Sequence, residues 1–224
     1  MGTPAPSGTP QERLREKLAS TPGRLFTIAA VLVVWLVDFA LSHRLVDSGG
    51  ITGAPRDAMR IFEDASTVLF IVVSVLLIAA VIGRWLHLLP WLVGIYLGFS
   101  VIQVMVNVGS LVVTAHLQQG VGLTGLWDVA AVYLMSVIVF TFVYAALDVS
   151  TKGGAFIWPA RDGQQPPTPN LIDYMFIALN TNSTYGPTSE TVMSRPTKMV
   201  MALQVVMAIV MLAVLIARAV VATG

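Results

Sequence analysis

Residues 127–147, WDVAAVYLMSVIVFTFVYAAL, form one long apolar block, and blocks of this kind decide the fold. At about 1.5 Å per residue in an α-helix, such a block crosses the roughly 30 Å hydrocarbon core of a bilayer. Similar blocks cover about 25–42, 65–83, 91–115 and 196–221. The sequence therefore predicts an all-α fold, a polytopic membrane helix bundle with about five transmembrane helices.

The composition supports a membrane protein and excludes several other classes. Hydrophobic residues make up 56% of the chain and charged residues only 11%, against about 25% charged residues in an ordinary soluble domain. The net charge of +1 gives no basic surface for nucleic acid, and the chain has no Cys, hence no thiolate metal site or nucleophile. We predict a multi-pass protein of the cell (inner or plasma) membrane, with the lipid bilayer as its first partner.

The chain divides into three regions. Residues 1–22 form a polar tail with a short amphipathic helix, for which Thr9 and Glu12 predict a capping box. Residues 23–126 form a three-helix membrane region, and residues 127–224 are organised differently. The third region therefore differs in organisation from the first two.

A short helix is predicted in the middle of the third region. The preceding loop, residues 148–170, is rich in Gly and Pro, and Asn170 can cap a helix from Leu171 to about Asn180. About ten residues are too few to span a bilayer, so the pattern indicates a re-entrant or interfacial helix. The polar run NTNSTYGPTSE (180–190) follows, and Ser194 and Pro196 then begin the last long helix.

The order of span, half-helix, polar turn and inner span over about residues 127–221 resembles the pore module of potassium channels. The segment LIDYMFIALNTNSTYG (171–186) is similar to their pore helix and TVGYG-type filter. Thr184 stands where that filter has its central Gly, whose left-handed backbone a β-branched residue disfavours. The resemblance implies monovalent cations as permeant ions, weak or absent potassium selectivity, and a filter-like loop made of Asn182, Ser183, Thr184, Tyr185 and Gly186.

The whole chain also resembles an uncharacterised family of bacterial five-span membrane proteins. The features that carry this resemblance lie around the short helix and the start of the final one. They are Asp173-Tyr174, Phe176, Ala178, the run 184–188 and Ser194-Arg195. This resemblance implies the five-span fold and brings no function.

The distribution of positive charge predicts the orientation. With five spans, nine Lys and Arg residues fall on the side of the N-terminal tail and the final loop, and four fall on the other side. The positive-inside rule then places the tail and residues 148–170 in the cytoplasm. A potassium channel carries its filter at the outer side, so the charge distribution and the channel resemblance predict opposite orientations.

Polar side chains inside the spans are further candidates. Asp38 in the first span, and Gln103 with Asn107 in the third, are hypothesised to line a polar path. The alternatives are an interfacial position for Asp38 and interhelical hydrogen bonding for the two amides. Asp173 is interpreted as a first-turn acid that supports its own helix.

No catalytic residue, metal ligand set or cofactor is predicted, because the common catalytic and phosphate-binding motifs do not occur in the sequence. An enzyme is therefore not expected. The function predicted first is a channel-like membrane protein that forms a homo-oligomeric cation pore. A non-conducting accessory subunit of a membrane complex, or a small-solute transporter, remains open as an alternative.

Overall fold

The computed structural model describes residues 54–83, 89–117, 124–160, 166–183 and 190–223, together with individual residues between 9 and 40. The described residues are mostly helical, as predicted. From residue 54 onward the elements are, in chain order, α1 (Ala54–Ile82), α2 (Leu89–Leu117), α3 (Thr124–Ser150), β1 (Phe156–Ile157), α4 (Leu171–Asn182), β2 (Thr191–Val192) and α5 (Arg195–Thr223).

Within the described ranges, three helices are long and apolar enough to cross a membrane. Their membrane-length parts are Trp91–Val112 in α2, Leu126–Ser150 in α3 and Arg195–Val220 in α5. The predicted span 65–83 corresponds to the second part of α1, which ends at Ile82 and whose apolar stretch, Thr67–Ala80, is shorter. Of the predicted span 25–42, residues 25, 28, 29, 32–37, 39 and 40 are described and are helical. Three of the predicted spans are therefore confirmed as helices of sufficient length and apolarity, which is compatible with a multi-pass membrane protein.

The centre of the bundle is the antiparallel pair α3 and α5. Tyr144 bonds to Gln204 along this pair, and at its far end Arg218 Nη1 lies 4.0 Å from Asp128 Oδ2. α2 and α4 each pack against both members of the pair and not substantially against each other, while α1 packs against α2. The helices α2 and α4 therefore cover different sides of the central pair. The fully buried side chains between the helices include Val104, Leu111, Val132, Val139, Phe140 and Ile177.

The outer surface of the bundle is apolar. On α5 alone, Val206, Ile209, Leu212 and Ile216 are each more than half exposed. A soluble monomer rarely exposes contiguous apolar patches larger than a few hundred Å². This surface fits contact with lipid tails or with other membrane proteins.

A short β-ladder adds to the otherwise helical fold. β1 pairs with β2 in antiparallel register, with Phe156 opposite Val192 and Ile157 opposite Thr191, and Met193 N donates to Ala155 O (2.9 Å) beyond the ladder. Between α3 and β1 the chain turns through Gly153 and Gly154, whose φ angles of 81° and 88° favour glycine. The ladder therefore ties the loop after α3 to the segment before α5.

Helix starts follow the predicted caps. In the tail, Thr9 N donates to Glu12 Oε2 (2.9 Å), and Glu12 N donates to Thr9 Oγ1 (3.2 Å), which is the predicted capping box. At the start of α5, Thr197 N donates to Ser194 Oγ (3.4 Å). These local patterns in the sequence are confirmed.

Candidate functional site

The N-terminus of α4 is fixed by side chains that the sequence singled out. The Asn170 side-chain oxygen accepts hydrogen bonds from Ile172 N (2.8 Å) and Asp173 N (3.3 Å), and the Asp173 carboxylate accepts one from Asn170 N (2.7 Å). This reciprocal capping box confirms both the predicted start of the helix and the first-turn role of Asp173.

A fully buried carboxylate joins the loop after α3 to α4. Asp148, at the end of α3, is 0% exposed and accepts four hydrogen bonds. Its Oδ1 accepts from Ala155 N (2.7 Å) and Phe156 N (3.1 Å), and its Oδ2 accepts from Trp158 Nε1 (3.1 Å) and Tyr174 OH (2.7 Å). We call this group the Asp148 anchor. Four donors compensate the cost of burying a carboxylate, which is large when donors are missing.

Aromatic rings enclose the Asp148 anchor. The rings of Trp158 and Tyr174 meet edge to face at 5.4 Å between centroids, and Phe156 contacts both of them at 6.0 and 6.2 Å. Burial, together with the negative charge of Asp148, raises the pKa of the Tyr174 phenol well above its ordinary value. The Tyr174 hydroxyl therefore keeps its proton and remains a donor to Asp148 at physiological pH.

The C-terminal end of α4 lies in a second group of polar side chains, which we call the amide cluster. Gln204 on α5 is its centre: its Nε2 donates to Ala178 O (2.9 Å) and to Asn182 Oδ1 (2.8 Å), and its Oε1 accepts from Tyr144 OH. Ser136 Oγ on α3 also donates to Asn182 Oδ1 (3.3 Å). The cluster thus links α3, α4 and α5 by side-chain hydrogen bonds inside the bundle.

The amide cluster continues toward the start of α3. Asn182 Nδ2 donates to Tyr133 O (3.4 Å), and the hydroxyls of Tyr133 and Ser183 lie 3.3 Å apart. Because Tyr174 at one end of α4 bonds to Asp148 and Ser183 at the other end bonds to Tyr133, α4 runs antiparallel to α3. The two contact levels are fifteen residues apart on α3, or about 22 Å at the helical rise.

The predicted filter-like loop is described only at its beginning. Asn182 is the last residue of α4 and is buried, and Ser183 is the exposed cap residue that follows. The helix therefore ends two residues later than the predicted Asn180. Thr184, Tyr185 and Gly186 lie outside the described residues, and their assignment to a filter stays a prediction.

The predicted polar path is only partly described. Gln103 and Asn107 are buried on the same face of α2, at 5% and 4% exposure, whereas Asp38 lies outside the described residues. Asn107 Nδ2 donates to the thioether sulfur of Met135 (3.4 Å), which is a weak acceptor. Neither amide joins the amide cluster, and the path formed with Asp38 stays a prediction.

Sequence reasoning missed four residues that organise the site: Ser136, Tyr144, Asp148 and Gln204. Two of them carried a signal. Gln204 is the one polar side chain between Met199 and Ala217, and Asp148 is an acid directly after an apolar block. An isolated polar residue in a span usually has a partner inside the protein, but the sequence does not say which residue that is.

Within the described ranges, no group of three or more His, Cys, Asp or Glu side chains is placed to hold a metal ion. No family model matches the chain, and neither a curated protein nor a solved structure matches it. The residues and their geometry are therefore the basis for a functional proposal.

Proposed function

We propose that this chain is a five-span subunit of an oligomeric pore that passes monovalent cations across a bacterial cell membrane. The observation that carries the proposal is the position of α4, a helix of twelve residues whose C-terminal end is held between α3 and α5 by the amide cluster. A helix of this length measures about 18 Å and is too short to cross the bilayer.

The contacts support a re-entrant path for the segment that contains α4. The chain leaves α3 at the level of Asp148 and later returns to the same level, because β2 pairs with β1 directly after the Asp148 anchor. Between these two points, Asn182 and Ser183 contact Ser136 and Tyr133, about 18 and 22 Å further along α3. The segment enters the bundle from one end, reaches the interior and leaves by the same end.

A re-entrant half-helix directs its negative dipole end into the membrane interior. The C-terminus of a helix carries the equivalent of about half a negative charge, and here Asn182 and Ser183 lie at that end. Backbone carbonyls and hydroxyls of the following residues, Thr184 to Gly186, are the kind of ligands that replace water around a cation. A bound anion would be disfavoured at the same position.

The pore is proposed to lie outside the single bundle. The amide cluster is already occupied by internal hydrogen bonds, since the side-chain amides of Gln204 and Asn182 both use their oxygen and nitrogen atoms. One loop also offers too few oxygens to replace the hydration shell of an ion. Several copies arranged around the outer side of α4 are needed, and the resembled channels make four copies the first expectation.

The first experiment measures ion flux. Purified full-length protein in liposomes is expected to pass potassium and sodium with little discrimination, because Thr184 replaces the glycine of the resembled filter. The double substitution Tyr185→Ala with Gly186→Ala is expected to abolish or alter the flux. Val75→Ala, on the exposed face of α1, is the matched control and should conduct like the wild type. Correctly folded protein that passes no cation under any condition would contradict the pore.

A second function is favoured by one observation. In the amide cluster, the Gln204 side chain bonds to Ala178 and Asn182 of α4. A non-conducting accessory subunit would use the same bonds to hold α4 rigidly in place. In that case the wild type and the double variant give the same absence of flux, and the protein co-purifies with a different membrane protein from its native host.

A further inference from the structure

Four polar side chains form one stripe along α2. They are Ser100, Gln103, Asn107 and Ser110, and each is at most 5% exposed. Spacings of three, four and three residues place them on one face of the helix, over about 15 Å at the helical rise. Gln103 lies near the middle of the membrane-length part Trp91–Val112, far from both membrane surfaces. We call this group the polar stripe of α2.

The two amides of the polar stripe are buried without adequate protein partners. In the part of the chain that the structure describes, the Gln103 side chain makes no hydrogen bond, and Asn107 makes one, from its Nδ2 to the sulfur of Met135. A thioether is a weak acceptor, and the Asn107 oxygen accepts no bond from the described residues. The large majority of buried side-chain polar atoms bond either to protein or to ordered water. The stripe therefore calls for a partner that the described side chains do not supply.

The polar stripe lies along a groove between two other helices. On one side, the ring of Tyr96 on α2 packs on Phe70 of α1, with 5.3 Å between the centroids. On the other side, Asn107 reaches Met135 of α3. α1 and α3 each pack on α2 but do not pack substantially on each other. Two helices that contact a third and not one another leave an internal groove along it, and here polar side chains form the floor of that groove.

The chemistry of the stripe selects the occupant of the groove. Each amide presents an acceptor oxygen and a donor NH₂ group, so a cation would satisfy only the oxygens and an anion only the NH₂ groups. α2 contains no Asp, Glu, Lys or Arg that could neutralise an ion. The hydroxyls of Ser100 and Ser110 donate to Tyr96 O and Val106 O of their own helix, which leaves their oxygens as further acceptors.

A small neutral molecule that both donates and accepts fits this set, and a buried water typically makes two to four such bonds. We infer that the groove between α1 and α3 is an internal water-binding site, with Gln103 and Asn107 as its principal ligands. The site lies within one subunit and on a different helix from the amide cluster. It therefore does not depend on the proposed function.

Hydroxyl-radical labelling by a short X-ray pulse tests the inference, because the radicals form from water in place and react with the side chains beside it. Met135 is 1% exposed and touches Asn107, and methionine is readily oxidised to a sulfoxide that mass spectrometry detects. In full-length protein in nanodiscs, we expect Met135 to be oxidised. The matched control is Met201, 8% exposed on α5. It lies close to Gln204, whose partner Tyr144 is about 13 Å from Met135 along α3, and it should stay largely unoxidised.

The double substitution Gln103→Leu with Asn107→Leu should lower the oxidation of Met135 to the level of Met201. The variant is expected to fold, because the displaced water returns to bulk and no strong protein hydrogen bond is lost. The inference is overturned if Met135 of the wild type is oxidised no more than Met201, or if the folded double variant keeps the wild-type oxidation of Met135. The first of these outcomes needs no variant and decides by itself if the double variant does not fold.

Discussion

Replacing Asp148 by Asn is expected to lower the free energy of unfolding by about 3 kcal/mol, because a buried donor that loses its acceptor costs about 1–3 kcal/mol. Asn keeps one oxygen but presents an NH₂ group in place of the other. If that NH₂ faces Trp158 and Tyr174, the phenol can rotate to accept a bond, but the indole N–H can only donate. In the opposite orientation of the amide, the NH₂ group faces Ala155 N and Phe156 N. Both backbone N–H donors then lose their acceptor, which is less favourable still.

Thermal unfolding in detergent, followed by circular dichroism, measures this effect, and a loss of this size corresponds to a fall in midpoint of roughly 10 °C. Asp64→Asn on α1 removes the same charge from an exposed position and is expected to change the stability by less than about 0.5 kcal/mol. Equal effects of the two substitutions would mean that Asp148 does not hold the loop and α4 together.

Gln204→Leu is expected to destabilise the protein by about 2 kcal/mol. It removes the bonds to Tyr144, Ala178 and Asn182 and puts an apolar side chain of similar size in place of the amide. Interhelical hydrogen bonds in membranes contribute about 0.6 kcal/mol each on average, and the loss of three also leaves buried groups unpaired. Because these bonds hold the C-terminal end of α4, its last turn should become accessible to hydrogen exchange before the rest of the bundle.

Gln103→Leu is the matched control for Gln204→Leu. Both residues are buried glutamines in membrane-length helices, but among the described residues no hydrogen bond of the Gln103 side chain is found. Gln103→Leu should lower the free energy of unfolding by less than about 0.6 kcal/mol, the average contribution of one interhelical hydrogen bond. If Gln103→Leu lowers the free energy of unfolding as much as Gln204→Leu does, the effect comes from replacing any buried amide. The hydrogen bonds of the amide cluster would then not determine the stability.

The features that could be predicted from the sequence are those that local chemistry determines. Hydropathy identified α2, α3 and α5 because each crosses about 30 Å within one continuous stretch. The start of α4 was predicted from Asn170 because the capping side chain and the backbone N–H groups that donate to it lie within three residues. These predictions therefore needed no knowledge of contacts between residues that are distant along the chain.

The features that were missed depend on contacts between distant parts of the chain. Asp148 and Tyr174 are separated by 26 residues, and Tyr144 and Gln204 by 60. The β1–β2 ladder has only two residues in each strand, too few to show a period of their own. Such partners are not visible from one sequence.

The end of α4 shows how tertiary contacts change a local expectation. The run NTNSTYG favoured a turn from Asn180 onward, because Asn and Thr are weak helix formers. In the structure the helix continues to Asn182, whose side chain bonds to Ser136 and Gln204, while Thr181 Oγ1 donates to Ile177 O (2.8 Å). These contacts compensate for the low helix propensity and move the first predicted filter position into the helix.

The accessibility of three single cysteines tests most directly whether α4 enters and leaves the membrane at the same face. Lys152→Cys lies in the exposed turn after α3, Met193→Cys lies beside β2 (57% exposed), and Gln119→Cys lies in the connection between α2 and α3. With an impermeant maleimide, we expect Lys152→Cys and Met193→Cys to react only after lysis, and Gln119→Cys to react on intact cells. We expect this result because a re-entrant α4 places both residues on one side of the membrane, and the positive-inside rule places that side in the cytoplasm. Reaction of Lys152→Cys and Met193→Cys from opposite sides of the membrane would contradict a re-entrant α4.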